Sequence, residues 1–224
     1  MNQLNLFDAG NDHRPETAAR LSRKLRVLAD RGVYLGTSSW KYEGWIGTIY
    51  SAERYQTRGK LSRKKFEAEC LAEYAETFPA VCGDFSFYQF PSDDYWQRLF
   101  SETPRSFLFS LKVPEQITVP RWPKHARYGN LAGTVNESFL DARVFRDLFL
   151  GPLEPYRDRL GVLIFEFGTI NRATFADAFE FLTELDPFLE SLPDTFRYAV
   201  EIRNSEYLRD DYFATLHRHN VAHV

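Results

Sequence analysis

Five charged residues lie at or near the ends of four predicted β-strands, and they are the residues of this chain best suited to chemistry. Carboxylates beside an ammonium or guanidinium group are held ionised, whereas burial favours their neutral form. Groups balanced in this way suit proton transfer or the binding of an anionic substrate. The five residues are Asp84, Lys112, Glu166, Glu201 and Arg203.

Each of these residues can be given a chemical role. We expect Glu201 to act as an acid/base group, and Lys112 and Arg203 to stabilise an anion or a transition state. Asp84 and Glu166 would be further acid/base groups or ligands of a divalent metal. Lys112 and Arg203 would compete with a metal for these carboxylates, so no metal ligand is assigned and the cofactor stays open. The other interpretation is a structural ion-pair network at the strand ends.

The elements that must position these residues alternate between strand and helix after residue 32. Such alternation implies right-handed βαβ crossovers and a parallel sheet. Hydrophobic spacing predicts the helices at residues 16–30, 63–77, from about 92, 136–150, 172–189 and 208–219. It predicts the strands at residues 33–39, 81–87, 107–113, 162–167, 196–203 and 221–224.

Side-chain alternation within these strands favours a barrel over an open doubly wound sheet. One set of alternating residues is apolar, and the other carries a charge in each of four neighbouring strands. An open sheet covered by helices on both faces should not do this, whereas a barrel lumen opens at the carboxyl ends of its strands, where active sites lie. The polar members of the second set are Cys82, Asp84, Ser86, Ser110, Lys112, Glu166, Glu201 and Arg203.

The predicted fold class is therefore α/β, a parallel (β/α)8 TIM-type barrel. A barrel of this type needs eight strands to close, and only about six are visible, so we expect a C-terminally truncated barrel. Residues 1–32 are predicted to form an N-terminal tail and helix, and residues 33–224 an incomplete barrel domain.

Composition limits the cellular setting and the partners. Hydrophobic residues make up 44% of the chain and the formal net charge is -3, which by itself indicates no partner. No apolar run is long enough to span a membrane, so no membrane partner is expected. Cys70 and Cys82 have neither metal-binding nor disulfide-framework spacing, which indicates a reducing, cytoplasmic location. The oligomeric state stays undefined.

Two predicted loops are rich in basic residues, at 54–65 and 121–127. Both follow strands, so both should lie on the site face and could bind phosphate or nucleic acid. Solvated loop charge is the simpler interpretation. The residues that we expect to contact a substrate, besides Arg203, are Ser38, Trp40, Trp45, Tyr88 and Lys124.

Four segments carry a family resemblance, and each begins in or near a predicted strand or helix. The segments are Gly36-Thr37-Ser38-Ser39-Trp40 with Gly44-Trp45; Leu71, Tyr74-Ala75 and Phe78 with Phe87-Tyr88 and Pro91; Phe109-Ser110-Leu111-Lys112-Val113-Pro114 with Ile117-Thr118; and Tyr198-Ala199-Val200-Glu201-Ile202-Arg203. Together they resemble the YecE-like barrel family, known as domain of unknown function 72 (DUF72). The resemblance implies a TIM-type barrel with further C-terminal strands, but no particular reaction. Asp84 and Glu166 stand where that family usually has Asn and Gln, which makes this site more acidic.

Three hypotheses for function follow from these residues. The first is an enzyme (a hydrolase, lyase or isomerase) acting on an anionic small molecule, phosphorylated or nucleotide-like, at the carboxyl ends of the strands. The alternative is a non-catalytic barrel that binds nucleic acid through its basic loops. The third is a structural or interaction protein whose strand-end charges only fill the top of the barrel.

Overall fold

The computed structural model describes residues 14–224, which divide into two compact units. The first unit contains residues 14–81 together with Glu102–Phe107. The second contains Cys82–Ser101 and Leu108–Val224. The predicted N-terminal tail lies largely outside the described residues.

The strands form a six-stranded parallel sheet and a separate antiparallel hairpin. The strands are β1 (Gly36–Thr37), β2 (Gln56–Thr57), β3 (Lys60–Leu61), β4 (Ala80–Gly83), β5 (Leu108–Lys112), β6 (Leu160–Phe167), β7 (Tyr198–Ile202) and β8 (Ala222–His223). The parallel sheet has the order β1-β4-β5-β6-β7-β8, and β2 pairs with β3. This confirms the predicted α/β class and parallel sheet. The sheet is open within residues 14–224, so the closed eight-stranded barrel stays a prediction.

Eight α-helices connect these strands within the described part of the chain. They are α1 (Glu16–Ala29), α2 (Arg63–Thr77), α3 (Asp93–Ser101), α4 (Glu115–Thr118), α5 (Ala142–Phe145), α6 (Gly151–Leu153), α7 (Ala178–Glu190) and α8 (Asp210–Arg218). A π-helical turn at Arg146–Leu150 joins α5 to α6. The 3-10 turns are Glu43–Trp45, Glu53–Tyr55, Ala126–Leu131, Glu154–Arg159 and Ser205–Tyr207.

The helix predicted at 136–150 begins later than the hydrophobic spacing indicates. The side chain of Asn136 is used in the preceding loop, where it donates to the carbonyl oxygens of Gln116 and Val119, each at 2.7 Å. Leu140 has a positive φ of 51°, which interrupts a helix. Asp141 then caps α5 by accepting hydrogen bonds from the backbone N–H groups of Arg143 and Val144, so the helix begins at Ala142.

Helix α2 organises the first unit through its buried face. Ser62 caps the helix by accepting from the N–H of Lys65 at 3.4 Å. One turn before the helix ends, the hydroxyl of Tyr74 accepts from the N–H of Thr37 at 3.0 Å and donates to the carbonyl of Ala80 at 3.1 Å. Burial raises the pKa of Tyr74 to about 12. A single phenol therefore ties β1 to β4.

Alternating side chains divide the strands of the second unit into an apolar and a polar side. Phe109 packs on Phe100 of α3, with ring centroids 5.0 Å apart. Phe165 of β6 packs on Phe188 of α7 at 5.2 Å. Phe167, two residues later in β6, packs on Phe181 of the same helix at 5.1 Å. Because side chains alternate along a strand, the intervening residues face the opposite side of the sheet. There Lys112, Glu166 and Glu201 are half-buried.

An ion pair between α7 and α8 gives a testable pH dependence. Asp186 accepts from His219 at 2.5 Å and from Arg218 at 2.6 Å. These hydrogen bonds, first that of His219, lower the pKa of Asp186 below its ordinary value of 3.8 despite partial burial. The stabilisation is therefore complete above that ordinary value and is lost as the pH falls through the lower pKa of the folded state.

We expect Asp186→Asn to remove this acid-dependent stabilisation. Because the pair is partly exposed, the loss at neutral pH should stay below about 1 kcal/mol. Urea unfolding between about pH 5 and about pH 2 measures it, and the variant should lose less stability than the wild type over this range. Glu184→Gln, an exposed change on the same helix, is the control. Equal acid sensitivity of the Asp186 variant and the wild type would contradict this prediction.

Candidate active site

The strand register brings acidic and basic side chains together at the carboxyl edge of the sheet in the second unit. Glu166 of β6 lies directly opposite Glu201 of β7. Lys112, the last residue of β5, pairs with Ile164, two residues before Glu166 on the same side of β6. Asp84 follows β4 directly after Gly83. Like charges side by side on neighbouring strands repel each other, so these carboxylates need a cation between them.

Lys112 supplies that cation. Its ammonium donates a hydrogen bond to Glu166 Oε2 and lies 3.8 Å from Asp84 Oδ1 and 3.9 Å from Glu201 Oε2. Burial alone would lower the pKa of Lys112. The hydrogen bond with Glu166 and the surrounding carboxylate charges outweigh that effect and raise the pKa above its ordinary value. Lys112 therefore stays protonated at neutral pH.

Arg203, which is exposed, contacts both glutamates. Its Nη2 atom lies 3.1 Å from Glu166 Oε1 and 2.7 Å from Glu201 Oε1. Each of these two carboxylates thus bridges Lys112 and Arg203, and the four side chains form a ring of alternating charge. We call these four residues together with Asp84 the charge cluster.

The charge cluster has an inner and an outer part. The side chains of Lys112, Glu166 and Glu201 are 19%, 16% and 20% exposed. Those of Asp84 and Arg203 are 57% and 54% exposed. An incoming ligand would therefore meet Asp84 and Arg203 first. The cluster has three carboxylates and two cations, so one negative charge is not balanced. This surplus suits the transfer of a proton better than the binding of an anion by the inner residues alone.

The carboxylates of the cluster do not surround an empty centre. Asp84, Glu166 and Glu201 converge on the ammonium of Lys112, which occupies the position that a cation would take. Among residues 14–224, no group of three or more His, Cys, Asp or Glu side chains is arranged to hold a metal ion. The donor set of the cluster in this form does not fit a divalent metal.

The structure brings all five of the predicted strand-end residues together in the second unit, whereas the predicted substrate contacts are divided between the two units. Tyr88 and Lys124 lie on exposed loops of the second unit, and Arg127 covers the ring of Tyr88 at 4.4 Å. Ser38, Trp40 and Trp45 belong to the first unit. There Trp40 is buried, and its carbonyl accepts from the hydroxyl of Tyr50.

Ion pairs neutralise part of the two basic loops. In the first unit, Arg54 lies 3.6 Å from Glu76, and Arg63 lies 3.1 Å from Glu43. In the second unit, Arg127 lies 3.2 Å from Glu115. The remaining lysines of both loops are exposed or half-exposed. The net positive charge of the loops is therefore smaller than their sequence indicates.

Glu115 is the residue near the site that the sequence did not reveal. Its side chain is buried and accepts from Tyr128 at 2.8 Å and from Arg127 at 3.2 Å. The Arg127 guanidinium in turn stacks on Tyr88 and Tyr128, 4.4 and 4.7 Å from their ring centroids. In the sequence, a glutamate directly after Pro114 is typical of an exposed residue in the first turn of a helix. The only sequence signal that could have indicated its role, which is to hold the loop after β5, is the pair Arg127 and Tyr128.

These observations define an α/β protein with a charge cluster at the carboxyl edge of its parallel sheet. Residues 34–224 match the sequence model of the family described as "Protein of unknown function DUF72". The chain therefore belongs to the DUF72 family, as its sequence motifs indicated.

Similar proteins are found among curated sequences and solved structures. The chain is 25% identical to the UPF0759 protein YecE of Escherichia coli K12 over 175 residues, which are 78% of this chain and 50% of that protein. It thus spans about half the length of the curated relatives it matches.

The solved structures support the fold. A DUF72 family protein from Thermotoga maritima superposes with a TM-score of 0.54 at 24% identity, covering 85% of this chain and 63% of the other. One from Enterococcus faecalis V583 gives a TM-score of 0.50 at 18% identity, covering 70% of this chain and 58% of the other. No α-helix within residues 14–224 has the length and apolar character needed to cross a membrane.

Proposed function

We propose that the protein is an enzyme that acts on an anionic small molecule, phosphorylated or nucleotide-like, at the carboxyl ends of β4 to β7. The observation that carries this proposal is the ring in which Glu166 and Glu201 each bridge Lys112 and Arg203. The reaction would be a hydrolysis, an elimination or an isomerisation that needs a proton to be moved. The complete fold would be a (β/α)8 barrel in a reducing, cytoplasmic setting, in keeping with the free thiols of Cys70 and Cys82.

Energetics favour a functional over a purely structural role for the charge cluster. Ions that leave water lose hydration, and well-packed apolar residues in place of a buried ion pair are often as stable or more so. Stability alone is therefore a weak reason for so many half-buried charges. Their position at the carboxyl edge, where α/β barrels carry their active sites, supports catalysis.

Each member of the cluster has a role in the proposed reaction. Glu201 would transfer the proton, because it lies 3.9 Å from the Lys112 ammonium, whereas Glu166 is hydrogen-bonded to that ammonium. Exposed Arg203 would contact the reacting part of the substrate, and Lys112 would stabilise negative charge that develops next to Glu201. Glu166 and Asp84 would hold Lys112 in place and serve as second acid/base groups.

The nucleic-acid-binding alternative has less support. It depends on free cations in the basic loops, yet Arg54, Arg63 and Arg127 are each paired with a glutamate. A nucleic acid that used these three arginines would first have to break their ion pairs.

Glu201→Gln tests the proposed function. The protein would be incubated with phosphorylated sugars and nucleotides, and turnover followed by phosphorus NMR. For any compound turned over, we expect the variant to lower kcat by about 100-fold or more, the range for loss of a general acid or base. The fold should survive, since glutamine keeps the size and one acceptor oxygen.

Glu184→Gln, an exposed change on α7, is the matched control and should leave turnover unchanged. Turnover by the Glu201 variant at the wild-type rate, or no turnover of any compound by the wild type, would contradict the proposed function. A cluster that is only structural predicts instead that Glu201→Gln changes the melting temperature and nothing else.

A further inference from the structure

A cavity of about 460 Å³ lies in the second unit beside the carboxyl end of β6. Its walls come from the loop after β5 and from the segment that begins at Gly168, two residues after Glu166. The volume is in the range of small-molecule binding sites, roughly 300–1,000 Å³. The cavity is not part of the charge cluster, whose residues do not line it.

Positive charge dominates this cavity. Arg121 and Lys124 line it, and no aspartate or glutamate does. Arg121 is oriented by a hydrogen bond from Nη1 to the carbonyl of Gly133 at 2.8 Å. The stem of Lys124 lies against Gly133, where an added Cβ would be 3.4 Å from Lys124 Cγ. Two positioned cations without a nearby carboxylate suit a phosphate group.

A buried hydroxyl in the cavity wall has no partner within the protein. Thr118 lines the cavity and is 1% exposed, and its Oγ1 has no hydrogen-bond partner among the described residues. A buried polar atom left in this state is costly, and such exceptions usually have a reason. Because Oγ1 itself has almost no accessible surface, rotation of the Thr118 side chain about χ1 would bring it to the cavity, where a ligand group would supply the missing hydrogen bond.

The loop that carries these residues is held in shape before any ligand binds. Trp122 exchanges backbone hydrogen bonds with Thr134 at 3.0 Å and Gly133 at 2.9 Å. Asn136 fixes the start of the loop through the Val119 carbonyl. Trp122 lines the cavity and is half-buried, with its indole 5.4 Å from the ring of Tyr128. An aromatic wall next to two cations suits a planar ring that carries a phosphate.

We infer that this cavity binds a mononucleotide, with its phosphate on Arg121 and Lys124, its base against Trp122 and a polar group hydrogen-bonded to Thr118. This inference rests on the proposed function in one respect, because it names the substrate class of the same enzyme. It explains how a cluster with surplus negative charge can serve an anionic substrate. The phosphate is held a short distance along the sheet edge, and the cluster is left free to move a proton.

Isothermal titration with AMP, GMP, CMP and UMP, and with ribose 5-phosphate and adenosine as partial ligands, tests the inference. We expect the preferred mononucleotide to bind about 10-fold tighter than ribose 5-phosphate, from stacking of its base. Adenosine, which lacks the phosphate, should bind about 10-fold or more weakly than AMP, as expected for loss of a charge-assisted contact. Lys124→Ala should weaken the binding of the mononucleotide by a similar factor.

Three further variants test the position of the site. A Cβ at Gly168 would meet no atom within 4 Å, so Gly168→Phe can fill the cavity while Gly168→Ala leaves it open. We expect the first to abolish binding and the second to retain it. Thr118→Val should weaken binding about 3- to 10-fold and leave the melting temperature of the free protein unchanged or higher, because it removes an unpaired hydroxyl.

The outcomes separate this inference from the proposed function. Glu201→Gln should bind the mononucleotide as the wild type does, since Glu201 does not line the cavity. The inference is overturned if no mononucleotide binds the wild type, if ribose 5-phosphate binds as tightly, or if Gly168→Phe binds like Gly168→Ala. None of these results depends on turnover, whereas the proposed function is decided by turnover alone.

Discussion

Lys112→Met is expected to destabilise the protein by about 3 kcal/mol at neutral pH, near the lower end of the range for breaking a buried ion pair. The ammonium lies between three carboxylates, and two of them, Glu166 and Glu201, face each other across β6 and β7. Without Lys112, the exposed guanidinium of Arg203 would be the remaining cation of the cluster. The two half-buried glutamates would then repel each other with one exposed cation to offset their charge.

The pH dependence identifies the cause of this loss. Because the pKa of Lys112 is raised, its contribution is complete below the ordinary value of 10.5 and is lost only as the pH rises through the higher pKa of the folded state. In Lys112→Met the repulsion between the carboxylates falls in acid, where carboxyl groups in general become protonated. Urea unfolding should therefore show a smaller difference from the wild type at about pH 4 than at about pH 7.

Two companion variants make this prediction specific. Adding Glu166→Gln to Lys112→Met removes one of the repelling charges and should restore part of the lost stability. Lys64→Met, at an exposed position of α2, controls for replacement of a lysine by methionine. A Lys112 variant that is as stable as this control, or a deficit that does not change with pH, would refute the electrostatic explanation.

Glu73→Ala should have an effect of similar size in the first unit, about 4 kcal/mol, because it removes a charged acceptor from three buried donors. Glu73 is 1% exposed on α2. It accepts from the N–H and the hydroxyl of Ser51 at 2.7 and 2.6 Å, and from Tyr55 at 2.5 Å. Alanine would leave all three donors unsatisfied and open a cavity beside two buried aromatic rings.

Urea unfolding and titration of tyrosine test the role of Glu73 together. Burial, followed by the hydrogen bond and charge of Glu73, raises the pKa of Tyr55 far above its ordinary value. Glu73→Ala should lower that pKa, which is visible in the ultraviolet absorbance of tyrosinate. Glu73→Gln keeps one acceptor oxygen and should cost less than alanine. Glu69→Ala, exposed on the same helix, is the control, and an equal loss in both alanine variants would contradict the prediction.

The sequence by itself determined the order of the six parallel strands and of the longer helices, the α/β class and which residues would meet at the sheet edge. These properties depend on local periodicity and on a general rule for parallel strands. Side chains that alternate along β5, β6 and β7 must face opposite sides, so Lys112, Glu166 and Glu201 had to share a face once the strands paired. The helix at 63–77 could be predicted for the same reason, because its apolar spacing and the Ser62 cap are local signals.

Only the tertiary structure decided which charge pairs with which, and which polar side chains are buried. The sequence pattern is typical of surface helix residues at both Glu73 and Glu115. In the structure both are buried, because Ser51 contacts the first and Arg127 the second. The late start of α5 depends on a hydrogen bond from Asn136 to a loop seventeen residues earlier. Nothing in the sequence indicates that the buried hydroxyl of Thr118 has no hydrogen-bond partner among the described residues. Contacts between residues far apart in sequence leave no periodic signal, so they become visible only after the chain has folded.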